Sequence, residues 1–175
     1  TATPEVSGFF AAPPTTVSGL LEARSRFFGD ADLASKFESS ARQARERGNP
    51  QVAALASWVC GDYAKALKFL KGDGDLDKYV RLTALTELHM HIEAAELAKI
   101  SVRNSEPELA AAALHGLEAA GLEEAMLEAL PKAKLQGSHK AYFAARATEL
   151  AGDYREACQA YEEILADDPS HFASR

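Results

Sequence analysis

The side chains able to do chemistry are few and mostly dispersed along the chain. His89, His91 and Glu93 form the densest group of metal-ligand types. On a helix His89 and Glu93 would share a face one turn apart, while His91 would point elsewhere. No third ligand follows at helical spacing, so the group reads as the polar end of a helix beside a turn. Cys60 and Cys158 are the only cysteines and lie 98 residues apart. Neither has a histidine at catalytic spacing, and both read as unpaired structural thiols. Glu118, Glu123, Glu124 and Glu128 include pairs four or more residues apart that imitate an acid-base dyad, but on a surface helix they read as solvated. Arg42, Arg45 and Arg47, and separately Lys65, Lys68 and Lys71, make short basic stripes that read as solvated helix faces. The chain carries no phosphate loop, GxGxxG turn, GxSxG elbow or paired-cysteine metal signature. The expectation is a protein without catalytic residues, cofactor or metal.

Composition narrows the partners. Hydrophobic residues make up 47% and charged residues 26%, the balance of a folded protein. A formal net charge of -7 argues against nucleic acid as a partner, because phosphate contacts need a dense cationic face. The longest apolar runs, such as residues 52–60, fall far short of the roughly 20 residues of a membrane span. Two cysteines without a disulfide framework favour a reducing compartment such as the cytoplasm. Residues 1–16 hold three of the seven prolines and no basic residue, so they read as an extended arm: the start of a mature exported protein, a linker from an upstream domain, or a cut end.

The elements that must position these residues show a repeat. Gly152-Asp153-Tyr154-Arg155-Glu156-Ala157 has a close counterpart in Gly61-Asp62-Tyr63-Ala64-Lys65-Ala66. Ile92 with Ala95 and Leu122 with Ala125 keep the same large-residue-then-alanine spacing, giving anchors at 63, 92, 122 and 154 and intervals of 29, 30 and 32. Each interval holds two apolar-periodic stretches joined by a turn, as in 138–150 followed by 153–166, so the unit is a helical hairpin. In the second stretch Tyr154, Ala157, Tyr161 and Ile164 form one apolar stripe. Turns fall at Gly48-Asn49-Pro50, Gly72-Asp73-Gly74, 104–107, Gly137-Ser138 and Asp167-Asp168-Pro169. Ser105 before Pro107 reads as an N-cap. Residues 32–47 form a further amphipathic segment, with Leu33, Phe37, Ala41 and Ala44 on one face, and 17–28 is predicted helical too. The expected organisation is an arm over 1–16, N-terminal capping helices over 17–49 and repeats over 50–175, in nine or ten helices.

Residues 138–171 resemble a tetratricopeptide repeat, with small Ala145 in the first helix, the Gly152 and Tyr154 turn, Ala157 and Tyr161 in the second helix, and closing Pro169. The unit at Tyr63 and Ala66 matches fairly, and the two between are degenerate. The intervals are shorter than the family's 34, and Ala141 and Thr148 stand where the family places aromatics. The resemblance implies an all-α solenoid of antiparallel helical hairpins, wound as a right-handed superhelix, whose inner helices line a concave protein-binding surface. In the family register the inward positions of the last unit are His139, Tyr142, Phe143 and Arg146. Two aromatics beside an arginine suit an interface, though Tyr142 and Phe143 become core if another unit covers them. The same register turns Gln51, Leu55 and Trp58 inward in the first clear unit, and Val80, Arg81, Ala84 and Glu87 in the next, although Trp58, between Leu55 and Val59, reads as core more readily than as contact. The lysine-and-asparagine clamp of chaperone-binding members is missing.

The functional expectation is a non-catalytic scaffold or adaptor that binds a protein or peptide. The alternative is a regulatory or substrate-positioning segment of a larger enzyme, which the truncated-looking helix start at 171–175 permits. The arm is expected to dock through Phe9 or Phe10, which point to opposite sides of an extended backbone, on its own groove or on that of a second copy in a homo-oligomer.

Overall fold

The computed structural model describes residues 4–104 and 106–169. Among these it contains eleven α-helices and no strand. In chain order they are α1 Pro4–Ala11, α2 Val17–Phe28, α3 Ala31–Glu46, α4 Pro50–Val59, α5 Tyr63–Phe69, α6 Asp75–Glu87, α7 His91–Ser101, α8 Pro107–Ala119, α9 Glu123–Ala129, α10 Gly137–Leu150 and α11 Tyr154–Asp167, with a 3-10 turn at Leu130–Lys132 after α9. The protein is all-α, as the periodicity implied.

Local chemistry sets most of the starts. Thr16, Asp30, Asn49 and Asp62 accept backbone N–H bonds at the starts of α2, α3, α4 and α5, relieving donors that have no partner within the helix. Pro50 and Pro107 occupy first-turn positions, where the missing N–H costs nothing. Ser105, the expected cap of α8, lies outside the described residues, and Glu106 stands at the N-cap.

Four hairpin turns share one hydrogen-bond pattern. Gly61 N–H donates to Trp58 O and Asp62 N–H to Ser57 O; the pattern recurs at His89 and Met90, at Gly121 and Leu122, and at Gly152 and Asp153. The first residue of each pair is left-handed, with φ of 74°, 56°, 70° and 94°, the conformation that ends a helix by feeding the next amides back to its last carbonyls. Glycine adopts it freely, whereas His89 pays a steric cost in doing so.

The helices that follow these turns begin at Tyr63, His91, Glu123 and Tyr154, so the intervals are 28, 32 and 31. The sequence anchors at Ile92 and Leu122 were each one residue off: Ile92 is one late, because the turn before α7 lacks its glycine, and Leu122 is one early, immediately before the start of α9. In the corrected register the third residue after each start is buried: Ala66, Ala94, Met126 and Ala157. So is the residue seven before each left-handed position: Ala54, Leu82, Leu114 and Ala145. Where both are alanine the two backbones can close together. Accordingly α4 and α5 pack far more extensively than α8 and α9, although α5 and α9 are both 7 residues long.

The N-terminal region departs from expectation. The arm is not extended: 4–11 is the helix α1, and Pro4 sits in its first turn, where proline is tolerated. Being helical, it turns buried Phe9 and half-buried Phe10 onto the same aromatic cluster, with Phe27 and Phe37. The helix docks on α3 of its own chain. The helix α2 packs with α3, and it also touches α4, α6 and α8. Twelve residues rise about 18 Å, enough to cross three helices set roughly 8–10 Å apart. It therefore lies across the face that α4, α6 and α8 share, and does not simply cap the end.

Candidate functional site

Where α2 ends, that shared face opens. A cleft of about 210 Å³ lies between α6, α8 and α10, lined by Tyr79, Thr83, Thr86, Glu87, Glu108, Ala112, His115 and His139. Each helix contributes with the same period: 79, 83 and 86 from α6, 108, 112 and 115 from α8, and 139 with 143 and 146 continuing along α10. Larger hollows exist, one of about 410 Å³ between α1, α3 and α4 and one of about 570 Å³ over the α10–α11 turn. The first has Arg47 as its one charged wall residue and the second is formed by a single turn and helix start. The α6–α8–α10 cleft combines aromatic rings, hydroxyls, carboxylates and imidazoles from three helices.

The cleft is held by defined bonds. His139 Nε2 lies 3.1 Å from a Glu108 oxygen and donates to it, and that hydrogen bond holds the Glu108 carboxyl below the usual carboxylate range. Thr83 Oγ1 accepts from Trp58 Nε1 at 2.8 Å and donates to Tyr79 O at 2.8 Å. The His115 ring stacks obliquely near Phe143 and Tyr142, at 4.7 and 5.3 Å between centroids.

Beside the cleft, one arginine ties the last hairpin to the preceding helices. Arg146 Nε donates to Glu118 at 2.8 Å, and its other nitrogens to Glu123 at 2.9 Å and Glu149 at 2.8 Å. Tyr142 Oη also donates to Glu118, and Tyr161 Oη to Glu149. Burial pushes the Glu118 carboxyl up, but His115, Tyr142 and Arg146 outweigh it and leave it below its ordinary value. Burial, reinforced by the Glu118 charge, pushes the Tyr142 phenol up and keeps it a donor. The arginine acts as a clamp on the last described hairpin.

The expected interface residues fare differently. His139 is in the cleft and Arg146 adjoins it. Leu55, Trp58, Tyr142 and Phe143 are buried, which for Trp58, Tyr142 and Phe143 is the core alternative to a contact face. Trp58 is covered by Arg24 of α2, whose guanidinium lies 4.7 Å from its ring centroid. Val80 and Ala84 are buried too, and Glu87 alone of its group lines the cleft. Arg81 is on the wrong flank of α6 for the cleft: it donates to Gly72 O at 3.0 Å and pairs with Asp73, bracing the α5–α6 turn. Tyr79, Thr83, Thr86, Glu108, Ala112 and His115 were missed. The spacing of four then three residues that they share marks one face of any helix and did not single them out.

Other candidates resolve into structure. His89 is in a turn and His91 begins α7, so His89 and Glu93 do not share a helix face. Among the described residues no group of three His, Cys, Asp or Glu is placed to hold a metal ion. Cys60 and Cys158 are both unbonded, and burial pushes the Cys60 thiol up to about 11, which leaves it protonated and unreactive at neutral pH. Glu118 and Glu123 are not simply solvated, since Arg146 engages both. No described helix is long and apolar enough to cross a membrane.

No protein-family model matches the chain, and no curated protein or solved structure matches it either.

Proposed function

We propose that the chain is a tetratricopeptide-like solenoid of helical hairpins that works as a non-catalytic scaffold, binding a protein or peptide along the face shared by its first helices. The observation that carries this reading is the cleft between α6, α8 and α10, built from side chains on the first helices of three successive hairpins. A surface of that kind presents rows of side chains at regular spacing, which suits an extended partner more than a small substrate. The four equivalent turns support the solenoid, since they return the chain to the same register after each hairpin. The buried state of Leu55 and Trp58 moves the working surface toward α8 and α10. On this reading α2 fills the N-terminal part of the concave face from within.

Selection of a displayed random-peptide library on the immobilised chain, followed by calorimetric titration of the enriched peptides, tests the reading. Saturable binding is expected, and it should disappear in Ala112→Phe, which fills the cleft from a half-buried position. Enriched peptides that bind the filled variant as well as the parent would remove the cleft as the binding surface.

A further inference from the structure

We propose that the α6–α8–α10 cleft takes the guanidinium of an arginine presented by a partner polypeptide, an inference that rests on the protein-binding reading above. At about 210 Å³ the cleft is smaller than the roughly 300 Å³ at which drug-sized ligand sites begin, and it suits one side chain. Its electrostatics select the sign. Glu87 and Glu108 line it, and Glu118, Glu123 and Glu149 lie beside it around Arg146. The guanidiniums facing this region, Arg146 and Arg24, already have partners within the fold. Five carboxylates face two guanidiniums and the imidazoles of His115 and His139, which lie against Glu118 and Glu108. Counted with neutral histidines the region holds an excess of negative charge, and an acidic side chain entering it would meet like charge.

The acceptors are also suitably placed. Glu108 engages His139 through one oxygen, Glu87 is exposed at the rim, and Thr86 Oγ1, which donates to Leu82 O, keeps lone pairs to accept. The Tyr79 and His115 rings supply flat walls. A planar fork that stacks on rings while donating to carboxylates is arginine's chemistry; a lysine ammonium meets only the charge.

The same face already holds one arginine. Arg24, brought by α2, lies over Trp58 and donates to Tyr63 Oη at 2.9 Å. Trp58 in turn meets the cleft wall through Thr83 and through the Tyr79 ring at 5.7 Å. The cleft offers the next such seat along the face, with carboxylates where the first has a phenol.

The test titrates the full chain with capped pentapeptides, acetyl-Gly-Ala-Xaa-Ala-Gly-amide, where Xaa is Arg, Lys, Gln or Glu, and follows the Thr83 and Thr86 methyl and His115 ring resonances by NMR. The Arg peptide should give saturable shifts at those residues and bind at least tenfold more tightly than the Gln peptide, with Lys between them. Glu87→Gln, on the exposed rim, and Glu108→Gln should each weaken it severalfold without changing the Gln peptide's affinity. Equal binding of Arg and Gln peptides, preference for Glu, or shifts spread away from the cleft would overturn the proposal. A neutral peptide from the random library that saturates the cleft would overturn the arginine assignment and leave the protein-binding reading standing. If no peptide of any sequence moves the cleft resonances, both fall.

Discussion

At the N-terminal end Phe9, Phe10, Phe27 and Phe37 pack ring against ring, with Phe27 and Phe37 stacked 4.4 Å apart and Phe37 wholly buried. At the C-terminal end few backbone positions of α10 or α11 approach the preceding helices, and the joint is made by buried Phe143 together with Arg146, Tyr142 and three carboxylates. At both ends of the described residues the outermost helices are held to the helices next to them, but by different means. The aromatic seal is set by apolar area and is indifferent to salt and pH. The charged clamp depends on ionisation and screening, and it orients the hairpin through a few directional bonds. The end that neighbours the open cleft is thus the one whose attachment is polar.

The largest effect should come from the aromatic end. Phe37→Ala removes the ring at the centre of the cluster and should cost about 3–5 kcal/mol in urea unfolding, equally at low and high salt. A cost below about 1 kcal/mol would mean that the cluster collapses around the gap and seals nothing. Next is Ala157→Arg in α11, which forces a charged chain into the α10–α11 contact at a cost of about 3 kcal/mol or more. An unchanged thermal midpoint would show that α11 is turned differently.

The comparison itself is broken or kept by Arg146→Met, which preserves the stem and deletes three ion pairs. It should cost about 1–2 kcal/mol, the loss shrinking in 1 M salt, whereas the Phe37→Ala loss does not shrink. The pH response follows from the carboxylates. Hydrogen bonds from His139 and Arg146 hold Glu108 and Glu149 below the ordinary value, and the contacts of Glu118 outweigh its burial in the same direction. A lowered folded-state pKa gives stability that is present above the unfolded value, about 4.3, and is lost as pH falls through the folded one. Hydrogen exchange should therefore open α10 and α11 before the aromatic cluster as pH drops from 6 to 3. In Arg146→Met that pH dependence should flatten; an equally steep one would place the acid sensitivity elsewhere.

What could be read from the residues divides along the same line. The turns at Gly61 and Gly152 and the buried Ala157 follow from short-range rules, in which a glycine ends a helix and a small residue admits its neighbour. Phe143 and Trp58 were left between core and contact face, because burial depends on what packs over them: Arg24 of α2 covers Trp58 and the His115 ring of α8 lies against Phe143, and no local pattern states either. The helix α1 was obscured by prolines at 4, 13 and 14, of which only Pro4 falls within it, in the first turn. At Ile92 the register slipped because His89 holds a position that glycine holds in the three equivalent turns.

That substitution gives the smallest expected effect and the finest control on the contrast between the ends. His89 is exposed and left-handed, so His89→Gly removes backbone strain of roughly 1 kcal/mol while losing little burial. Against this, glycine loses more chain entropy on folding, roughly 0.5–1 kcal/mol. The ring contact with His91, 5.6 Å between centroids, also goes. The net should be a gain of no more than about 0.5 kcal/mol. Because the α6–α7 turn belongs to neither end, a cooperative fold would spread the gain evenly, raising hydrogen-exchange protection in α3 and α10 alike. A gain confined to one end would show that the aromatic and the charged regions open independently, and the C-terminal hairpin would then be a separate unit whose attachment to the cleft can be weakened without unfolding the remainder.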